Sequence, residues 1–206
     1  MIPTAPLRVR NRLAEIILAA LEKPEARREL VALGEIDAPS PDWLEADEVA
    51  CRPLVRARAQ SAQAALAARA TGRIRSRADL LDAAAALFDA HLYFEVHELL
   101  EPAWREAEGD EREALQGLIQ VAVGYQHLAN GNFAGARALL EEGRRRIQGR
   151  TLEGLDLDEF GRGVARSLDR LFQLDWQTVP PFPRPESGGG ARRSARVDVN
   201  LRKENS

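Results

Sequence analysis

One cysteine, Cys51, stands among 206 residues. No intrachain disulfide can form, and a cysteine-based zinc cage is excluded. The scarcity favours a reducing compartment, so a cytoplasmic location is expected. Lysine is almost missing too: Lys23 and Lys203 are the only two, which leaves the positive charge to arginine. Its 29 basic residues are outnumbered by 32 acidic ones, for a formal net charge of -3. Such a balance argues against general affinity for nucleic acid. A long apolar run is also absent. Arg8, Arg10 and Arg12 look like the start of a signal peptide, but Glu15 breaks the apolar stretch that follows, and Glu22 and Lys23 come soon after. Nothing approaches the roughly 20 apolar residues that a membrane span requires, so no membrane partner is expected. Sustained period-2 alternation is missing as well, which leaves no strand of consequence.

What the chain does have is helical periodicity and enough apolar residues, 45%, to bury a core without a staple. Leu13, Ile16, Ile17, Ala20 and Leu21 fall at i, i+3, i+4, i+7 and i+8, one stripe of an amphipathic helix that Pro24 ends. A short helix over 25–32 should close at Gly34. Ser40 and Pro41 fit an N-cap and first helical position, followed by one long N-terminal helix over 42–70 with a bend at Pro53. Ser76, with Asp79 three residues on, caps the next helix. Further helices are expected over 93–106, 111–129 (stopped by Asn130-Gly131), 133–147 (capped by Asn132) and 156–174. Short connections between them imply an antiparallel, all-α, multi-helix bundle. The expected organisation is a helical segment over 1–75, a bundle domain over 76–176 and a disordered Pro/Gly-rich tail over 177–206. From Arg184 onward that tail carries six basic and three acidic residues.

Chemistry concentrates on the helix over 93–106. At about 100° per residue, His97, Glu101 and Trp104 share an arc of about 60°. His97 and Glu101 are i, i+4 neighbours whose side chains can meet, and Trp104 lies one turn on. Glu98 sits about 100° from His97. Pro102 removes the hydrogen bond to the Glu98 carbonyl and bends the helix, either to open room for a ligand or as a packing bend. On the next helix Gln116, Gln120 and His127 fall within about 40°, beside a stripe containing Gly117 and Gly124. Those glycines cost roughly 1 kcal/mol each in helix propensity, which makes sense where a neighbouring backbone or Trp104 comes close. An antiparallel hairpin of the two helices would set His97 and Glu101 against the second stripe.

The run Phe94-Glu95-Val96-His97-Glu98, with Glu101 and Trp104, resembles the H-x-x-x-E-x-x-W motif of the family called domain of unknown function 309. Gln116-Gly117-Leu118-Ile119-Gln120, then His127 to Asn132, Gly135-Ala136 and Leu139-Leu140 resemble it as well. The resemblance spans roughly residues 78–147. It implies an all-helical fold and a metal-binding role for His97 and Glu101, with Trp104 as a motif member. It implies no particular reaction.

Two readings follow. In the first, a divalent metal ion is the cofactor, held by His97, Glu101 and His127, with Glu98, Trp104, Gln116 and Gln120 lining the site. In the second, the same cluster is a buried structural network in a non-enzymatic interaction or scaffold module. A homo-oligomer or another protein is the partner class that either reading leaves open.

Overall fold

The computed structural model describes residues 5–37, 39–173 and 176–185. Within them the chain forms α1 (Leu7–Glu22), α2 (Pro24–Gly34), α3 (Arg52–Leu66), α4 (Arg77–Asp89), α5 (Tyr93–Glu106), α6 (Gly109–Ala129), α7 (Phe133–Ile147) and α8 (Asp158–Asp169). Between α7 and α8 lies a two-residue hairpin, β1 (Thr151–Leu152) with β2 (Leu155–Asp156), closed by Glu153 and Gly154 at positive φ. The class is all-α, as expected. No helix among the described residues is long and apolar enough to cross a membrane.

Local signals set most of the boundaries. Pro24 lacks an N–H, which suits the first position of α2, where that group would have no intrahelical partner. Ser76 Oγ accepts from Asp79 N at 3.0 Å, and Asn132 Oδ1 accepts from Gly135 N at 2.9 Å, so both expected N-caps are made. The Asp79 carboxylate in turn accepts from the Arg75 backbone at 3.1 Å. That bond, with the Ser76 hydroxyl, holds its pKa below the usual carboxylate range. Gly131 takes φ +75 after α6, the left-handed stop that a β-carbon would strain.

The single helix expected over 42–70 is corrected. Residues Ala46–Cys51 form a 3-10 helix and α3 starts anew at Arg52. Pro53 cannot donate to a preceding turn, so the chain uses it in the first turn of a helix and not in its interior. Ser40 does not cap this element; the Glu48 carboxylate accepts from Glu45 N at 3.1 Å and is anchored by Arg8. The second correction concerns the tail expected from residue 177. Phe182 is 2% exposed and meets Phe88 and Phe160 at ring-centroid distances of 5.0 and 5.5 Å. Its N–H donates to Asp89 at 3.0 Å, and Arg184 pairs with Asp89 at 2.7 Å. A proline-rich segment cannot be helix, but it can lie extended across one. The expected tail beyond Pro185, residues 186–206, lies outside the described residues.

Packing is closest between α6 and α7, because glycine lets the backbones approach. A β-carbon at Gly117 would stand 2.9 Å from Gly143 O, and one at Gly143 would stand 2.8 Å from Gly117 O. At Gly124 it would meet Leu140 at 2.8 Å. The glycine stripe therefore receives α7: of the two neighbours expected there, a backbone or Trp104, it is the backbone that comes close. On its other side α6 packs against α5, which also borders α4 and α1. Phe88 centres the core, with Tyr93, Tyr125 and Phe160 around it at 5.1, 5.6 and 5.8 Å.

Candidate functional site

α5 buries Tyr93, Val96, Leu100 and Ala103, and this leaves a polar strip along its outer side. On that strip His97 Nδ1 lies 3.0 Å from Glu98 Oε1, and His97 Nε2 lies 3.9 Å from Glu101 Oε2. One ligand atom from each of His97, Glu98 and Glu101 falls within 4.8 Å of the other two. Glu98 is thus a full member of the cluster. The angle from His97 undervalued it: Glu98 is only about 60° from Glu101, and a flexible glutamate stem spans the remainder. Arg105 Nη2 donates to Glu101 Oε1 at 2.7 Å, which fixes one oxygen and leaves the other toward His97. The side chains of His97, Glu98 and Glu101 are 30%, 37% and 27% exposed. The cluster expected in one reading to be buried is thus half-buried, and water reaches all three groups.

The second stripe does not close over it. His127 Nδ1 lies 2.8 Å from Asn132 Nδ2, so the imidazole belongs to the α6–α7 turn and stands outside the three-residue cluster. The three side chains that come together are His97, Glu98 and Glu101, and His127, expected as a third ligand, is not among them. Gln116 and Gln120 are half-buried, and among the described residues no hydrogen bond joins either to His97 or Glu101. The Gln120 Oε1 atom is buried without a partner there. Trp104 is half-buried under a different neighbour, with the Arg112 guanidinium 4.3 Å over its ring. Arg112 also donates to the Trp104 carbonyl at 2.9 Å and the Ala107 carbonyl at 3.3 Å. One arginine from α6 so satisfies the open C-terminus of α5 and covers the indole. α5 runs unbroken through Pro102.

The sequence reading gave no role to Glu95. Its carboxylate is 1% exposed and takes both oxygens to Arg58 Nη2 of α3, at 2.9 and 2.6 Å. This is the most deeply buried charge among the described residues. A glutamate one position from Val96 on the apolar side of α5 was the available signal, but its partner lies 37 positions away and no local rule finds it. Tyr93 and Tyr125 are stacked at 5.5 Å, and burial pushes both phenols far above their usual range; Tyr125 and then Asp89 raise that of Tyr93 further.

One imidazole nitrogen with two carboxylate oxygens is a donor set suited to zinc, manganese or iron, and the missing positions would be water. Bonds of about 2.0–2.2 Å to a shared ion require the three donors to draw closer than 4.8 Å. The rotatable stems of the two half-buried glutamates allow that movement. The residues fit an open, three-ligand site.

Compared with known families, residues 81–139 match a model described as "Domain of unknown function (DUF309)". No curated protein matches the chain, and no solved structure does.

Proposed function

We propose that the chain, whose residues 81–139 match that family model, binds one divalent metal ion at His97, Glu98 and Glu101. The observation that carries the reading is the convergence of an imidazole and two carboxylates within 4.8 Å on one solvent-accessible helix face. Their separation in sequence, i, i+1 and i+4, makes α5 alone sufficient to build the site. Glu101 is oriented by Arg105, a partner of the kind that commonly positions a ligating carboxylate. The ion would hold exposed coordination positions, where it can polarise a bound water or a ligand oxygen.

Elemental analysis and calorimetric titration of the full chain with Zn²⁺ and Mn²⁺ test this. One equivalent is expected to bind, and His97→Ala or Glu101→Gln should weaken it by about tenfold or more. His127→Asn should leave the affinity unchanged. Equal binding by the His97→Ala protein, or none by the native chain, would overturn the proposal.

A further inference from the structure

A cavity lies at the N-terminal end of α5, one turn before the cluster. With a volume of about 700 Å³, it opens between the start of α1, the middle of α3, the α4–α5 turn and the end of α6. That volume is in the range of small-molecule pockets. Its apolar wall includes Val9, Leu13, Leu54, Val55 and Leu92, and Leu7, 67% exposed, stands at its edge. Aromatic surface is added by Phe94, Tyr93 and Trp176.

The charge in this cavity has one sign. Arg10 and Arg58 line it, and no aspartate or glutamate does among the described residues. The two arginines differ in availability. Arg58 is held from behind by buried Glu95, so its charge is balanced while its position is fixed. Arg10 lies with its guanidinium 4.0 Å over the Phe94 ring, and its side chain donates to the neutral Asn11 carbonyl at 3.3 and 3.2 Å. Among the described residues no carboxylate pairs with it at this apolar wall. With Nε and Nη2 turned to Asn11, the Nη1 side of the Arg10 guanidinium still has N–H groups that can donate to a carboxylate.

The α4–α5 turn shows the same bias toward the cavity. His91 has φ +61, the left-handed position after a helix that glycine fills at least cost. Histidine there places an imidazole stacked at 5.7 Å on Tyr93 and 5.5 Å from the Trp176 ring. Across the cavity, Gln126 Nε2 and the Asn130 carbonyl oxygen are joined at 3.3 Å, which supplies amide groups without net charge.

We infer that this cavity binds a small organic carboxylate with an apolar ring body, the carboxylate at Arg10 and the ring against the aromatic and aliphatic wall. The inference stands apart from the metal proposal. The two sites share no residue; Phe94 of the cavity comes nearest in that its ring centre is 6.3 Å from that of His97.

Calorimetry and ligand-observed NMR on the full chain, with 2-naphthoate and its uncharged counterpart 2-naphthalenemethanol, test it. The acid is expected to bind about tenfold more tightly than the alcohol. Arg10→Gln should erase that preference, while leaving the alcohol's affinity unchanged. Ala57→Trp, which fills the rim from an exposed position of α3, should abolish binding of both at an unchanged melting temperature. His97→Ala should bind the acid normally, so failure of the metal site leaves this result intact. Equal affinity for acid and alcohol, native binding by Arg10→Gln, or no binding of either probe would overturn the inference.

Discussion

Removing Arg58 should be among the most costly single changes to a partly exposed side chain in this protein. In the native fold Arg58 Nη2 contacts both oxygens of Glu95, whose side chain is 1% exposed while that of Arg58 is 25% exposed. Arg58→Ala leaves a carboxylate buried without a cation, at a cost of about 3 kcal/mol. Folded domains are stable by about 5–15 kcal/mol, so that loss would be plain in any denaturation curve. The reverse deletion should be milder. In Glu95→Gln the arginine keeps access to water through its exposed quarter, and the loss should be about 1–2 kcal/mol. The double variant Arg58→Met/Glu95→Leu replaces both charges by hydrocarbon and should lie within about 1 kcal/mol of the native protein. Urea unfolding followed by far-UV circular dichroism reads all three, with an unchanged denaturant slope showing that the native and unfolded states keep their compactness. Arg137→Ala supplies the scale, because its pair with Glu141 is 46% and 55% exposed and should be worth less than about 1 kcal/mol. If Arg58→Ala costs no more than Arg137→Ala, the pair does not hold α3 to α5 and the reasoning fails.

Two further outcomes follow from the packing. Gly143→Ala gains about 1 kcal/mol of helix propensity, but its β-carbon would stand 2.8 Å from Gly117 O and 3.0 Å from Val121 N. Backbone cannot rotate aside, so a net melting loss is expected, whereas Gly161→Ala, whose nearest neighbour is 3.7 Å away, should raise the melting temperature. The chain has two tyrosines, and burial raises both phenols well above their ordinary pKa. Near-UV absorbance at alkaline pH should therefore show phenolate in urea-unfolded chain before folded chain. Because the unfolded phenols ionise first, this contribution to stability is complete below their unfolded pKa and is lost as pH rises above it. Phenolate appearing in the folded protein at the unfolded midpoint would refute the burial argument.

The elements that sequence reading placed correctly are those decided by neighbours a few residues away. Ser76 and Asn132 cap through bonds to the third residue on, and Asn130-Gly131 stops α6 by a backbone conformation of its own. A stripe such as Leu13, Ile16 and Ile17 says that a face is buried, and all three are. It does not say what covers that face. Gly117 and Gly124 were read as a place of close approach, correctly, while the approaching element is α7 and not the indole of Trp104. Phe182, surrounded in sequence by prolines, carried no periodic signal at all; its place in the core follows from a contact with Phe88, 94 positions earlier.

The cluster on α5 shows the same division within a single helix. Angular arithmetic placed His97 and Glu101 on one face because the helix fixes where each Cα–Cβ bond points. It undervalued Glu98 and overvalued His127 for one reason. An angle describes the root of a side chain, whereas ligation depends on its tip. Glutamate has three rotatable bonds, so Glu98 reaches His97 at 3.0 Å from the flank of the strip. Histidine has two, and the His127 Nδ1 atom lies 2.8 Å from Asn132 Nδ2, so the residue falls outside the group on α5. The donors left around His97 are therefore those of α5 itself, and a metal bound there would be held by one helix, with its remaining positions open to solvent.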